Sequence, residues 1–301
     1  MPVSNQLPRQ FLNLRHIIGL LLVALITLGL PGCSAVKLGY QNAPELVYWW
    51  LDSYLDFNDT QSPRLRADLA ALQSWHRQHE LPLYISALER LQGLAPTNVS
   101  PAQVCGLVDE MRPRLQALLD QAAPTVVALA PTLTSAQLDH LARQFDKRNQ
   151  KWREEWLDGT PTERDARRVK LLTERAENFY GRLEQTQLAS LRASVAVSMF
   201  DASMNYRESQ RRQRDMLQTL RQLQGVPRTG QSVNSDMRAL MERSLRSPEP
   251  DHRNYADQLT QENCTTFAAL HNSMTASQRR SLAEILKGYV SDARELMNLA
   301  R

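Results

Sequence analysis

From Pro44 to Met297 the apolar residues recur every three or four positions, and no stretch alternates apolar and polar residues as a half-buried strand does. This periodicity restricts the chain to an all-α fold. Composition agrees. Leu, Ala, Gln, Arg and Glu dominate and are all good helix formers. Only 11 glycines occur in 301 residues, which leaves little material for glycine-rich β-turns or phosphate-cradling loops. With 42% hydrophobic and 23% charged residues, the chain can bury a core.

Pro44 opens a first helix bearing Val47, Trp50, Leu51, Tyr54 and Leu55. Leu65, Leu69, Leu72 and His76 form the next stripe, and Pro82 starts or kinks a third. Pro101 suits the first turn of a fourth, where its missing N–H would have no partner, and Pro113 should kink that helix. Leu138, Leu141, Phe145, Trp152 and Trp156 follow, and then Thr160, Pro161 and Glu163 read as N-cap, N1 and N3 of another helix. No Gly or Pro interrupts Gln187–Gln224, which predicts one helix roughly 55 Å long. The expectation is an elongated multi-helix bundle of about nine or ten helices. A seam is expected near 121–134, where Pro124 and Pro131 bracket TVVALA.

The first 32 residues read differently. Arg9, Arg15 and His16 precede a short apolar run, Ile17–Leu30, and LPGC follows. That order is a secretory signal, because the apolar run is too short to span a bilayer. LPGC resembles the lipobox of bacterial lipoproteins, with Leu30 and Gly32 matching and Pro31 less usual. The resemblance implies cleavage before Cys33, which would carry a diacylglyceryl thioether and an N-acyl chain such as palmitate. Several acyl chains anchor stably where one does not. Ser34 rather than Asp at the next position implies the outer membrane, with the body facing the periplasm. Residues 33–43 then form a brief lipidated tether, and 44–301 the all-α periplasmic body.

From Cys33 on the chain carries 34 basic and 32 acidic residues. This near-balance gives no reason to expect nucleic acid as a partner. Cys105 and Cys264 remain. In an oxidising compartment they can form one disulfide. Both also lie on helical patterns beside apolar residues, where Cys serves as a small core side chain.

One phrase recurs: VSPAQ at Val99–Gln103, LTSAQ at Leu133–Gln137 and MTASQ at Met274–Gln278. Each reads as a capping box with a hydrophobic staple. Ser100, Thr134 and Thr275 cap, Gln103, Gln137 and Gln278 reach back, and Val99, Leu133 and Met274 staple. FNDTQ (Phe57–Gln61) and LEQTQ (Leu183–Gln187) are looser versions. The LTxxQ pattern resembles the Spy and CpxP group of all-helical periplasmic proteins. That resemblance implies a periplasmic, helical and client-binding protein. A wider one links the lipobox, YQNAPELVYWWLDSYLD, WHRQHELPLY and the LTxxQ-like starts. In that order of motifs the chain resembles a family of proteobacterial lipoproteins with no assigned activity.

Candidate contacts are few. Trp49 points away from the apolar stripe shared by Trp50 and Tyr54, which makes it a candidate membrane or partner contact and Trp50 a core residue. Arg207, Arg211, Arg212, Arg214 and Arg221 form a basic set suited to acidic partners, diluted by Glu208 and Asp215. His76, His79 and Glu80 share a helical face but lack the order of a zinc-protease motif, so no metal or cofactor is expected. No nucleophile elbow, Walker loop, dinucleotide fingerprint or CxxC pair occurs, so no catalytic residue is assigned. The expected role is binding of protein or envelope components, chaperone-like in its sharpest form. A structural adaptor in outer-membrane or cell-wall assembly is the alternative, and a cell-wall hydrolase, which needs paired carboxylates in a cleft, the weakest reading.

Overall fold

A computed structural model of the protein describes residues 32–225 and 231–298, with side chains from Val36 onward except those of Gln231 and Ser232. The signal segment and the Cys33 side chain lie outside the described residues. Among the described residues the protein is an elongated, all-helical bundle without strands. The helices are α1 (Gly32–Gln41), α2 (Ala43–Leu55), α3 (Gln61–His79), α4 (Leu81–Leu94), α5 (Pro101–Leu129), α6 (Ser135–Trp156), α7 (Pro161–Tyr180), α8 (Gln185–Ala196), α9 (Ala202–Leu223), α10 (Gln231–Leu245), α11 (Pro250–Asn272) and α12 (Ala276–Asn298). A 3₁₀ turn, Ala130–Thr132, joins α5 to α6.

Twelve helices are described, more than the nine or ten expected, for two physical reasons. The stretch expected to be a tether is helical: α1 packs on α12, and Tyr40 sits against the core of Leu81, Ile85, Val290, Ala293 and Leu296. The long helix expected over Gln187–Gln224 breaks between α8 and α9, although no Gly or Pro lies there. Asp201 caps α9, its Oδ1 accepting from the N–H groups of Ser203 (2.7 Å) and Met204 (3.0 Å). The Tyr255 hydroxyl accepts the Asp201 N–H at 2.9 Å, and Glu262 accepts the Met199 N–H at 2.8 Å. Backbone groups freed by the break are thus satisfied from α11, a distant element that local pattern does not reveal. Conversely, Pro113 and Pro124 both lie inside α5 without ending it.

Two units of the same design organise the bundle. In the first, hairpin α2–α3 meets the consecutive helices α5 and α6, with α2 packed on α6 and α3 on α5. In the second, hairpin α7–α8 meets the consecutive helices α11 and α12, with α7 on α12 and α8 on α11. Each unit thus packs the first helix of its hairpin on the second of the consecutive pair, and the second on the first. Asp56 (φ 49°) and Gly181 (φ 74°) end α2 and α7 in the left-handed region and turn the chain into the two N-terminal hairpin loops. The first unit shares its core, including Leu133, Leu138 and Leu141, with Leu220 and Leu223 of α9 and Val233, Met237 and Leu240 of α10. The second is built on Ala176, Tyr180, Leu183 and Met274.

Candidate functional site

The capping boxes are where the repeated phrase acquires a tertiary meaning. In the first unit Gln61 and Gln137 are both buried and face each other. Gln137 Nε2 donates to Gln61 Oε1 (2.8 Å), and Gln61 Nε2 to Gln137 Oε1 (3.4 Å). Each amide also donates to the carbonyl five residues before its partner glutamine: Gln137 to Asp56 (2.9 Å), Gln61 to Thr132 (3.0 Å). Each Oε1 accepts the N–H three residues before it, that of Asn58 (3.2 Å) or Thr134 (2.9 Å).

The second unit repeats the arrangement. Gln187 Nε2 donates to Gln278 Oε1 (2.7 Å), and Gln278 Nε2 to Gln187 Oε1 (2.9 Å). Their second protons go to the carbonyls of Ser273 (3.0 Å) and Arg182 (2.9 Å). Their oxygens accept from the N–H groups of Glu184 (2.8 Å) and Thr275 (2.9 Å). Two donors and two acceptor sites per glutamine amide are thereby filled. Each unit is closed by such a reciprocal clasp, with Phe57, Leu133, Leu183 and Met274 packed beside it. The box at Ser100 and Gln103 differs. It has its own two bonds, 3.2 and 2.8 Å, but Gln103 is exposed and joins no clasp.

The arginine set divides in two. Arg207, Arg214 and Arg221 are exposed along α9, and Arg221 approaches Asp139 at 3.4 Å. Arg211 and Arg212 instead hold the buried Glu208, at 2.9 Å each, with the Ser247 hydroxyl at 3.0 Å. Arg211 also donates to the Arg243 carbonyl (2.8 Å), and Asp215 binds Arg243 through two oxygens (2.9 and 2.8 Å). This network ties α9 to α10 and the loop after it, so Arg211 and Arg212 serve the fold. Burial raises the Glu208 pKa, but the hydrogen bonds from Arg211, Arg212 and Ser247 outweigh it and bring it from 4.5 down to about 2. A depressed carboxylate contributes stability that is full above its unfolded pKa and is lost as pH falls through the folded one. The unfolding midpoint should therefore drop between pH 4.5 and 2, and Glu208→Gln should flatten that limb in thermal melts taken across the range.

At the N-terminal end the expected roles of two tryptophans need correction. Trp50 is not core: its exposure is 56%, close to the 62% of Trp49. The buried aromatic of α2 is Tyr48, whose hydroxyl bonds Ser62 at 3.0 Å. Trp50 only leans on Tyr54, ring centroids 5.2 Å apart. The periodicity allowed either face of α2 to turn inward, and α3 and α6 receive the Tyr48, Leu51 and Leu55 side.

Cys105 of α5 and Cys264 of α11 are both buried and form a disulfide, Cα atoms 5.5 Å apart, which bolts the first unit to the second. His76 and His79 have separate partners: Tyr40 Oη lies 2.9 Å from His76 Nδ1, and the Trp75 carbonyl 3.0 Å from His79 Nδ1. Burial lowers the His76 pKa. Among the described residues no group of three or more His, Cys, Asp or Glu is placed to hold a metal ion. His271, which sequence reading passed over, is buried between Tyr180 (Nδ1 to Oη, 2.8 Å) and the Thr97 carbonyl (Nε2 to O, 2.8 Å). Burial lowers its pKa and pushes Tyr180 up to about 12. No helix among the described residues is long and apolar enough to cross a membrane.

A profile of a family of unknown function, DUF6279, matches residues 53–253. The chain belongs to this family. The match begins within α2 and ends within α11, so it takes in the first clasp whole and the Gln187 side of the second. No curated protein and no solved structure matches this DUF6279 chain.

Proposed function

We propose that this DUF6279 protein is a lipid-anchored protein of the outer membrane, faces the periplasm, and binds other proteins or envelope components without catalysing a reaction. The observation that carries the reading is the Cys105–Cys264 disulfide, because such bonds persist in oxidising compartments. LPGC at Leu30–Cys33 supplies the matching export and lipidation signal. The two units, each built on a pair of LTxxQ-like helix starts, fit the resemblance to Spy and CpxP and support chaperone-like holding as the sharpest form of the reading. Exposed apolar side chains on α4 and α5, Leu83, Val108 and Leu115, offer contact area, and Leu83 and Leu115 each lie within a turn of the Glu80–Arg114 ion pair.

A structural adaptor is the second reading. It is favoured by the stiffness that two clasps and a disulfide confer, since a fixed surface suits one fixed partner. A photo-crosslinker at Leu115 in living cells separates them. Holding predicts adducts with many different proteins, together with slowed aggregation of a model client at a one-to-one ratio. One or two discrete adducts with no effect on aggregation select the adaptor. No protein adduct from any exposed apolar position of α4 and α5 contradicts both.

A further inference from the structure

The face of α2 that the fold leaves uncovered is apolar. Leu46, Trp49 and Trp50 stand at i, i+3 and i+4 and are 56%, 62% and 56% exposed. Three- and four-residue spacing is the signature of a buried stripe, yet this one faces outward while Tyr48, on the other side, fills the core. Among the described residues none of the three belongs to a core cluster, although α2 packs on α1, α3 and α6.

The position of the stripe along the chain says what covers it. The apolar run Ile17–Leu30 comes just before α1, and the lipobox cysteine Cys33 falls in its first turn. Leu46 follows Cys33 by only 13 residues, roughly 20 Å of helical path. Any bilayer that holds this N-terminus, through acyl chains on Cys33 or through the apolar run itself, therefore lies within reach of α2. α1 is not a slack tether, because it packs on α12 and Lys37 is ion-paired to Glu295. The body is thus held at a set orientation to its anchor. The chemistry suits an interface: indole rings sit at the headgroup level. One cation borders the stripe: the Arg66 guanidinium lies 5.6 Å from the Trp49 ring centre and is paired with Glu45.

We propose that the Leu46–Trp49–Trp50 face of α2 lies on the lipid surface and forms a second membrane contact beside the anchor. The acyl chains on Cys33 hold the protein to the membrane, and a second contact through α2 fixes the angle of the body. The proposal rests on membrane anchoring, and the test distinguishes its failure from failure of that reading.

Full-length protein is reconstituted into vesicles of phosphatidylethanolamine and phosphatidylglycerol, with and without bromine on the acyl chains near the headgroup. Tryptophan emission should fall by roughly two-fifths in the brominated vesicles, the share of the five tryptophans that meets lipid. The variant Trp49→Phe/Trp50→Phe should float with the vesicles, keep its helical circular dichroism and lose that quenching. Equal quenching in the variant, or none in the parent chain while it still floats, overturns the lipid contact and leaves anchoring intact. So does a photo-crosslinker at position 49 that yields a protein adduct in cells. Full-length protein that does not float overturns anchoring and the contact together.

Discussion

Gln187→Ala or Gln278→Ala lowers the unfolding free energy by about 3 kcal/mol, while Gln103→Ala costs under about 1 kcal/mol. The three glutamines occupy the same position of the same capping box, so the local effect of losing N3 is shared. The difference is the clasp. Removing Gln278 leaves the buried Gln187 amide without its reciprocal partner and frees the Arg182 carbonyl and the Thr275 N–H. Each buried group left unpaired costs about 1–3 kcal/mol. Gln278→Glu should be comparably harmful, because a carboxylate of the same shape has no N–H to give Gln187 or Arg182. The double variant Gln187→Ala/Gln278→Ala should cost clearly less than the two singles together, since both remove one interaction. Denaturant melts of the five variants check this, and a Gln278→Ala loss no larger than that of Gln103→Ala would sink the clasp as a stabilising device.

Cys105→Ala/Cys264→Ala should cost roughly 2–5 kcal/mol, and reduction of the parent protein should reproduce most of it. The bond joins residues 159 apart, so it removes much freedom from the unfolded chain, and it links α5 in one unit to α11 in the other. The loss should therefore appear first at the junction. Amide exchange near Cys105 and Cys264 should quicken before exchange at either clasp. Uniform acceleration across all helices would show instead that the two units do not loosen separately.

The legible and illegible parts of this fold divide along physical lines. The all-helical class follows from periodicity, and the caps at Ser100, Thr134, Thr160 and Thr275 from five-residue windows, because both are local. The pairing of Gln61 with Gln137 and of Gln187 with Gln278 spans 76 and 91 residues, and nothing in either window names its partner. The break before Asp201 was hidden for the same reason, since its satisfying groups, Tyr255 and Glu262, belong to α11. Trp50 was misplaced because a stripe at helical spacing says that a face is apolar but not whether protein covers it. The arginines of α9 read as one basic set, yet Arg211 and Arg212 are held by Glu208 and Arg211 also reaches Asp215, from the very carboxylates that seemed only to dilute the set.

Export and lipid attachment of the body are tested most directly by intact mass analysis of the protein extracted from cell membranes. The predicted species begins at Cys33, carries a diacylglyceryl group and an N-acyl chain, and has Cys105 and Cys264 two hydrogens lighter than free thiols. A chain still carrying residues 1–32, unacylated and with both thiols reduced, would contradict export and attachment alike.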